Sequence, residues 1–214
     1  MLAHFGPSAW WPADSPFEIA VGAVLTQNTA WRNVEKAIAG LRERGVLKPE
    51  ALYSMPVRDL EDLLRPAGFF RLKAGRLRAL LEYFRSCPGW DEPPGNLRLD
   101  FLRGKEGPAL REELLSVRGI GPETADCLLL YALGLPFFVI DAYTLRLCAR
   151  HGLLPPDTPY GEAQEFFMDR LEADAELYNE FHALIVRTGN NYCKKSKPLC
   201  SECPLGSFLD YAVE

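Results

Sequence analysis

No run in the 214-residue chain approaches the ~18 consecutive apolar residues of a membrane-spanning helix. The opening, MLAHFGPSAWWP, lacks the basic, apolar and small segments of a secretory signal and is broken by proline. A soluble, cytoplasmic protein without a membrane partner is the expectation. Strict polar–apolar alternation is missing apart from the short run FFVI, which argues against sandwiches and barrels. Repeats and low-complexity tracts are absent, and the Pro- and Gly-containing loops near Pro93–Gly95 and Pro155–Pro159 are too short to be flexible linkers. A net charge of −5 speaks mildly against nucleic acid. The six cysteines are few for a disulfide scaffold. Without an export signal, the crowding of Cys193, Cys200 and Cys203 points to metal before disulfide. Cys87, Cys127 and Cys148 are scattered and read as small buried hydrophobes.

What is present is helical periodicity. SPFEIAVGAVLTQNTAWRNVEKAIAGLRER reads as a Ser15 cap, a buried helix, a break near Gln27–Asn28 and an amphipathic helix. Further helices are expected in RDLEDLLRPAGF, FRLKAGRLRALLEYFRSC, FLRGKEGPALREELLSV, GPETADCLLLYALG, TLRLCARHG, GEAQEFFMDRLE and LYNEFHALIVRTGNNYC. The fold class is all-α. Charge is unevenly spread. RPAGFFRLKAGRLR holds five basic residues and no acidic one, and Arg71, Lys73 and Arg76 within it are candidate phosphate contacts. Lys194, Lys195 and Lys197 add basic charge among the terminal cysteines. Solvated helix faces are the bland alternative for both groups.

Gly119-Ile120-Gly121-Pro122 separates two helical patterns. Glycine permits positive φ and leaves no side chain before an incoming ligand, while the following helix start offers unpaired N–H groups to an anion. An ordinary helix–helix turn fits the same pattern. Downstream, Asp141 follows an apolar run and precedes a helical pattern. It suits an N-cap, and a capping carboxylate stays ionised, as required to stabilise a developing cation or orient water. His182, in the apolar FHALIV, reads as a core histidine, and His4 and His151 carry no specific signal.

The GIG hairpin followed by VIDAYTLR, with GAVLTQNTAW before it and spaced cysteines after it, resembles the helix-hairpin-helix DNA glycosylases of the endonuclease III superfamily. The likeness covers nearly the whole chain. It implies two helical lobes with a cleft for DNA and base between them, one spanning 17–125 and the other 1–16 plus 126–214. It implies Asp141 as the catalytic carboxylate. Bifunctional members carry a hairpin lysine that forms a Schiff base; Glu123 stands there, and a carboxylate cannot form an imine, so lyase activity is not expected. WWPADSPFEIAVGAVLTQNTAW, RPAGFFRLKAGRL and GIGPETADCLLLYA resemble the bacterial 3-methyladenine glycosylase subgroup more closely. That likeness implies a base pocket of Trp10, Trp11, Pro12 and Trp31, whose π faces suit a cationic alkylated base. It also implies that Gln27 enters the stack as the base flips out of duplex DNA.

Cys193-x6-Cys200-x2-Cys203 agrees with three ligands of the superfamily's iron–sulfur loop, but Leu209 stands where a fourth cysteine is usual. Three explanations remain open: a 4Fe–4S cluster completed by another ligand such as Asp210, a three-iron or labile cluster, or a loop that folds without metal. Zinc is less attractive, because no histidine lies within the loop. The implied protein is a monomeric, nucleoid-associated, monofunctional glycosylase acting on damaged duplex DNA, alkylated purines first. A glycosylase for oxidised pyrimidines or mismatches, a non-catalytic DNA-binding relative and a redox module built on the cysteines are the competing readings.

Overall fold

A computed structural model describes residues 1–90 and 97–209. The loop at Pro93–Gly95 and the candidate ligand Asp210 lie outside the described residues. The described residues are helical, with no strand among them. The helices in chain order are α1 (Leu2–Phe5), α2 (Pro16–Leu25), α3 (Trp31–Glu43), α4 (Pro49–Ser54), α5 (Val57–Leu64), α6 (Phe70–Ser86), α7 (Gly107–Ser116), α8 (Pro122–Cys127), α9 (Ala142–Arg150), α10 (Tyr160–Met168) and α11 (Ala175–Asn191). They form two compact units: Ala13–Gly134, and Met1–Pro12 with the chain from Leu135 onward.

The first unit is organised around α2. Ser15 starts this helix by accepting from Glu18 N–H at 3.2 Å, and Pro16 supplies a preset first turn. Every residue from Phe17 to Leu25 is buried, so the helix is enclosed on all sides, with α3, α6, α8 and the π-type turn Leu128–Ala132 against it. Glu18 is tolerated inside because Arg42 donates to it at 2.6 Å. Val34, Ala37, Ile38 and Leu41 give α3 one buried stripe at helical spacing. Replacing a fully buried leucine here, Leu25 or Leu81, with Ala costs about 2–5 kcal/mol.

The second unit packs α9 against α11. Gly189 permits the close approach: a Cβ there would overlap the Tyr143 ring. The FFVI run forms neither helix nor strand, and Phe138 stacks on Phe167 with centroids 4.3 Å apart. The N-terminal arm is sewn to α11. Ser8 donates through N and Oγ to Glu180 at 2.9–3.0 Å, and Arg187 donates to Phe5 O at 3.2 Å. Cys87, Cys127 and Cys148 are buried. No helix among the described residues is long and apolar enough to cross a membrane.

Candidate functional site

The hairpin joins α7 to α8. Gly119 has φ +88°, and a Cβ on it would overlap the Arg76 side chain, so both its conformation and its surroundings call for glycine. Gly121 has ordinary backbone angles and open space beside it, and it caps α8. Ile120 between them is buried. Gly121 O accepts from Ala125 N–H at 2.9 Å, the bond that opens α8. Residues 121–123, Glu123 among them, are exposed. Arg111 on α7 grips the fully buried Asp126 on α8 with two bonds, 2.7 and 3.1 Å, and so fixes the hairpin angle.

Gln27 is folded against this hairpin. Its Nε2 donates to Gly119 O (3.1 Å) and Thr124 Oγ1 (2.8 Å), and its Oε1 accepts from Arg76. The basic run does not form one positive face. Lys73, expected at the DNA backbone, is 1% exposed. Its ammonium donates to Leu25 O (2.8 Å), Thr29 Oγ1 (2.7 Å) and Ala67 O (2.7 Å). All three protons are used inside the unit, so Lys73 is no phosphate contact. Burial, with the Arg76 charge nearby, lowers its pKa to about 8. Arg78 caps carbonyls of Tyr53 and Met55, and Arg76 serves Gln27, whereas Arg71 remains exposed with Glu61 at 3.8 Å.

The lysine anchor explains a residue that the sequence did not single out. It ties the 26–30 loop to the turn 65–67, just before Phe69. Phe69 is 67% exposed and has φ 45°, a costly combination for an aromatic residue. The available signal was an aromatic residue directly after the Pro-Ala-Gly turn.

In the second unit, Asp141 caps α9. Its Oδ1 accepts from Thr144 N–H (2.7 Å) and Thr144 Oγ1 (2.8 Å). Oδ2 faces His182 Nε2 at 3.8 Å, and the Asp141 side chain is 12% exposed. Burial holds the His182 imidazole below its usual pKa against the opposing pull of Asp141, so no imidazolium offsets the carboxylate. The segment before Asp141 is pinned by Gln164 Nε2 donating to Phe138 O at 2.8 Å. Such a carboxylate, held through one oxygen, can stabilise positive charge or orient water with the other. Trp10 and Trp11 are half-buried with ring centroids 5.3 Å apart, and Pro12 is exposed. Trp31 opens α3 in the first unit, half-buried.

Cys193, Cys200, Cys203 and Leu209 line one pocket with Leu147, Arg150, His151, Thr188 and Tyr192. Arg146 and Arg150 on α9, unremarked in the sequence, hold the loop backbone: Arg146 donates to Cys193 O at 2.7 Å, and Arg150 to Lys194 O at 2.7 Å and Lys195 O at 3.2 Å. Lys194, Lys195 and Lys197 are exposed.

Residues 21–173 match the HhH-GPD superfamily of base excision DNA repair proteins. The chain belongs to that superfamily. A Methanocaldococcus jannaschii protein described as a candidate DNA repair glycosylase is 42% identical over 208 residues, covering 97% of this chain and 91% of its own. Among solved structures, an endonuclease III–DNA complex superposes with TM-score 0.78 at 24% identity, covering 98% of this chain and 90% of its own. A 3-methyladenine DNA glycosylase of H. pylori bound to 1,N6-ethenoadenine gives TM-score 0.69 at 27% identity, covering 86% and 89%. The protein is a DNA repair glycosylase of this superfamily.

Proposed function

We propose that the enzyme is monofunctional, acts as a monomer in the nucleoid, and hydrolyses the N-glycosidic bond of alkylated purines in duplex DNA. The observation that carries this reading is the coexistence of a positioned Asp141 with Glu123 at the exposed hairpin position that a lyase lysine takes in bifunctional relatives. The likeness to the H. pylori enzyme supports the substrate class.

In this mechanism DNA phosphate docks at the N–H groups of the exposed α8 start, with Arg71, Lys194 and Lys195 as further phosphate contacts. Phe69 is the apolar wedge, the exposed aromatic on a strained turn. Gln27 follows it into the stack only by exchanging its three partners, Gly119 and Thr124 of the hairpin and Arg76 of α6; while held, it orders the hairpin. Trp10, Trp11, Pro12 and Trp31 receive the flipped base. The bond from C1′ to the ring nitrogen breaks, and its electron pair leaves with the cationic base, which departs neutral. Asp141 stabilises the cationic sugar and orients the water that adds to C1′. The water's proton passes to the carboxylate and then to solvent, leaving an abasic site. His182, kept neutral, leaves the charge of Asp141 available for this step.

The three cysteines suit an iron–sulfur cluster. They share one pocket, Arg150 Nη1 lies 3.2 Å from Cys193 Sγ, and a Cβ at Gly206 would collide with Cys200 O, so the turn is built around the thiols. Cys193, Cys200 and Cys203 would hold the cluster, which supplies loop order and no bond cleavage.

The test is a panel of duplexes carrying single lesions: 1,N6-ethenoadenine, 7-methylguanine, thymine glycol and a T:G mismatch. The expected result is excision from the alkylated duplexes, with strand breaks only after alkali and no adduct trapped by borohydride. Breaks without alkali, or a trapped adduct, would overturn the monofunctional reading. Excision confined to thymine glycol or the mismatch would move the substrate class.

A further inference from the structure

The chain has three cysteines at the cluster loop, and Leu209 fills the position usual for the fourth. The structure brings Leu209 into the same pocket as the three thiols, so that corner is occupied by a side chain without a donor. It also brings in a residue from far away in sequence. His151, the C-cap residue of α9, is half-buried and lines the pocket beside Cys193, Cys200 and Cys203. Its Nδ1 lies 3.4 Å from Phe208 O. A ring N–H donating to a backbone carbonyl sets the tautomer and leaves Nε2 with the lone pair, the arrangement found where imidazole binds metal.

We propose that His151 supplies the fourth ligand of a four-iron cluster held by Cys193, Cys200 and Cys203. This rests on the reading of the cysteines as a cluster site. In such a cluster each iron takes its own protein donor. The four side chains therefore need to surround one pocket and need not meet at a point. The placement has a mechanical basis. The same helix, α9, holds the loop carbonyls through Arg146 and Arg150 and ends on His151. Arg150 lies against Cys193 Sγ, a cation beside a sulfur that must be negative to bind iron. The cluster would then clamp the end of α9 whose other end is capped by Asp141.

The test uses the full chain, reconstituted anaerobically with ferrous iron and sulfide, with 15N-labelled histidine. Iron and sulfide are counted, and the dithionite-reduced protein is studied by pulsed EPR. The expectation is about four irons and four sulfides per chain, with a histidine nitrogen hyperfine coupling. His151→Cys should keep the iron and lose the coupling, while His151→Ala should lose iron or leave a three-iron signal in the oxidised state. A four-iron cluster without histidine coupling overturns the proposal and leaves the cluster reading standing. So does a three-iron cluster in the unsubstituted protein, or iron lost from Asp210→Ala but kept in His151→Ala. An unsubstituted chain that takes up no iron overturns both.

Discussion

Replacing Lys73 with Met separates a structural lysine from a DNA contact. Methionine fills a similar volume but removes the ammonium that serves Leu25 O, Thr29 Oγ1 and Ala67 O. Bonds from a charged donor are worth about 1.5–3 kcal/mol each. Against them stands the desolvation of the charge, for which the fall from 10.5 to about 8 represents roughly 3 kcal/mol. The balance leaves Lys73→Met less stable by about 1.5–6 kcal/mol, which for a chain of this size lowers Tm by roughly 3–24 °C. The pH dependence follows from the direction of the shift. Between about pH 8 and 10.5 the unfolded chain keeps a proton that the folded chain has released. Unfolding free energy of the unsubstituted protein therefore rises through that window relative to Lys73→Met, and the gap between them widens with pH. Urea denaturation at several pH values measures both effects. An unchanged Tm together with weaker DNA binding and a shallower salt dependence would refute the reasoning and restore Lys73 to the DNA backbone.

Asp126→Ala removes both bonds between the Arg111 guanidinium and the buried carboxylate and should cost about 3–5 kcal/mol in urea denaturation; a loss under 1 kcal/mol would mean that the pair does not set the hairpin. Gly119→Ala combines a positive φ with a clash on Arg76 and should destabilise by about 1–3 kcal/mol while also weakening duplex binding in a gel-shift assay. Phe69→Ala removes an exposed ring, so thermal melting should stay unchanged while excision slows; equal excision rates would remove Phe69 from the mechanism.

Helix boundaries and the all-α class could be read because α3 and α6 bury residues at helical spacing and Ser15 marks the start of α2. The short helix Pro49–Ser54 escaped, since six residues hold too few turns for periodicity. The hairpin glycines were legible in part: the positive φ and the crowding belong to Gly119, whereas a Cβ on Gly121 would meet nothing. Lys73 misled because its acceptors come from three segments, and in sequence it is one more cation in a basic run. His182 was legible as a core histidine, but its neighbour Asp141 lies 41 positions earlier and meets it only through the packing of α11 on α9. His151 gave no signal for the same reason: the pocket that it shares with the cysteines is assembled by the end of α9.

The most direct measurement is the single-turnover excision rate of Asp141→Asn on a duplex holding one alkylated purine. Asparagine can still accept the Thr144 bonds that cap α9, so the fold should persist. The account predicts a rate lower by ~10²–10⁴ with duplex binding retained, because the negative charge facing the sugar cation is gone. Excision at the unsubstituted rate would contradict it.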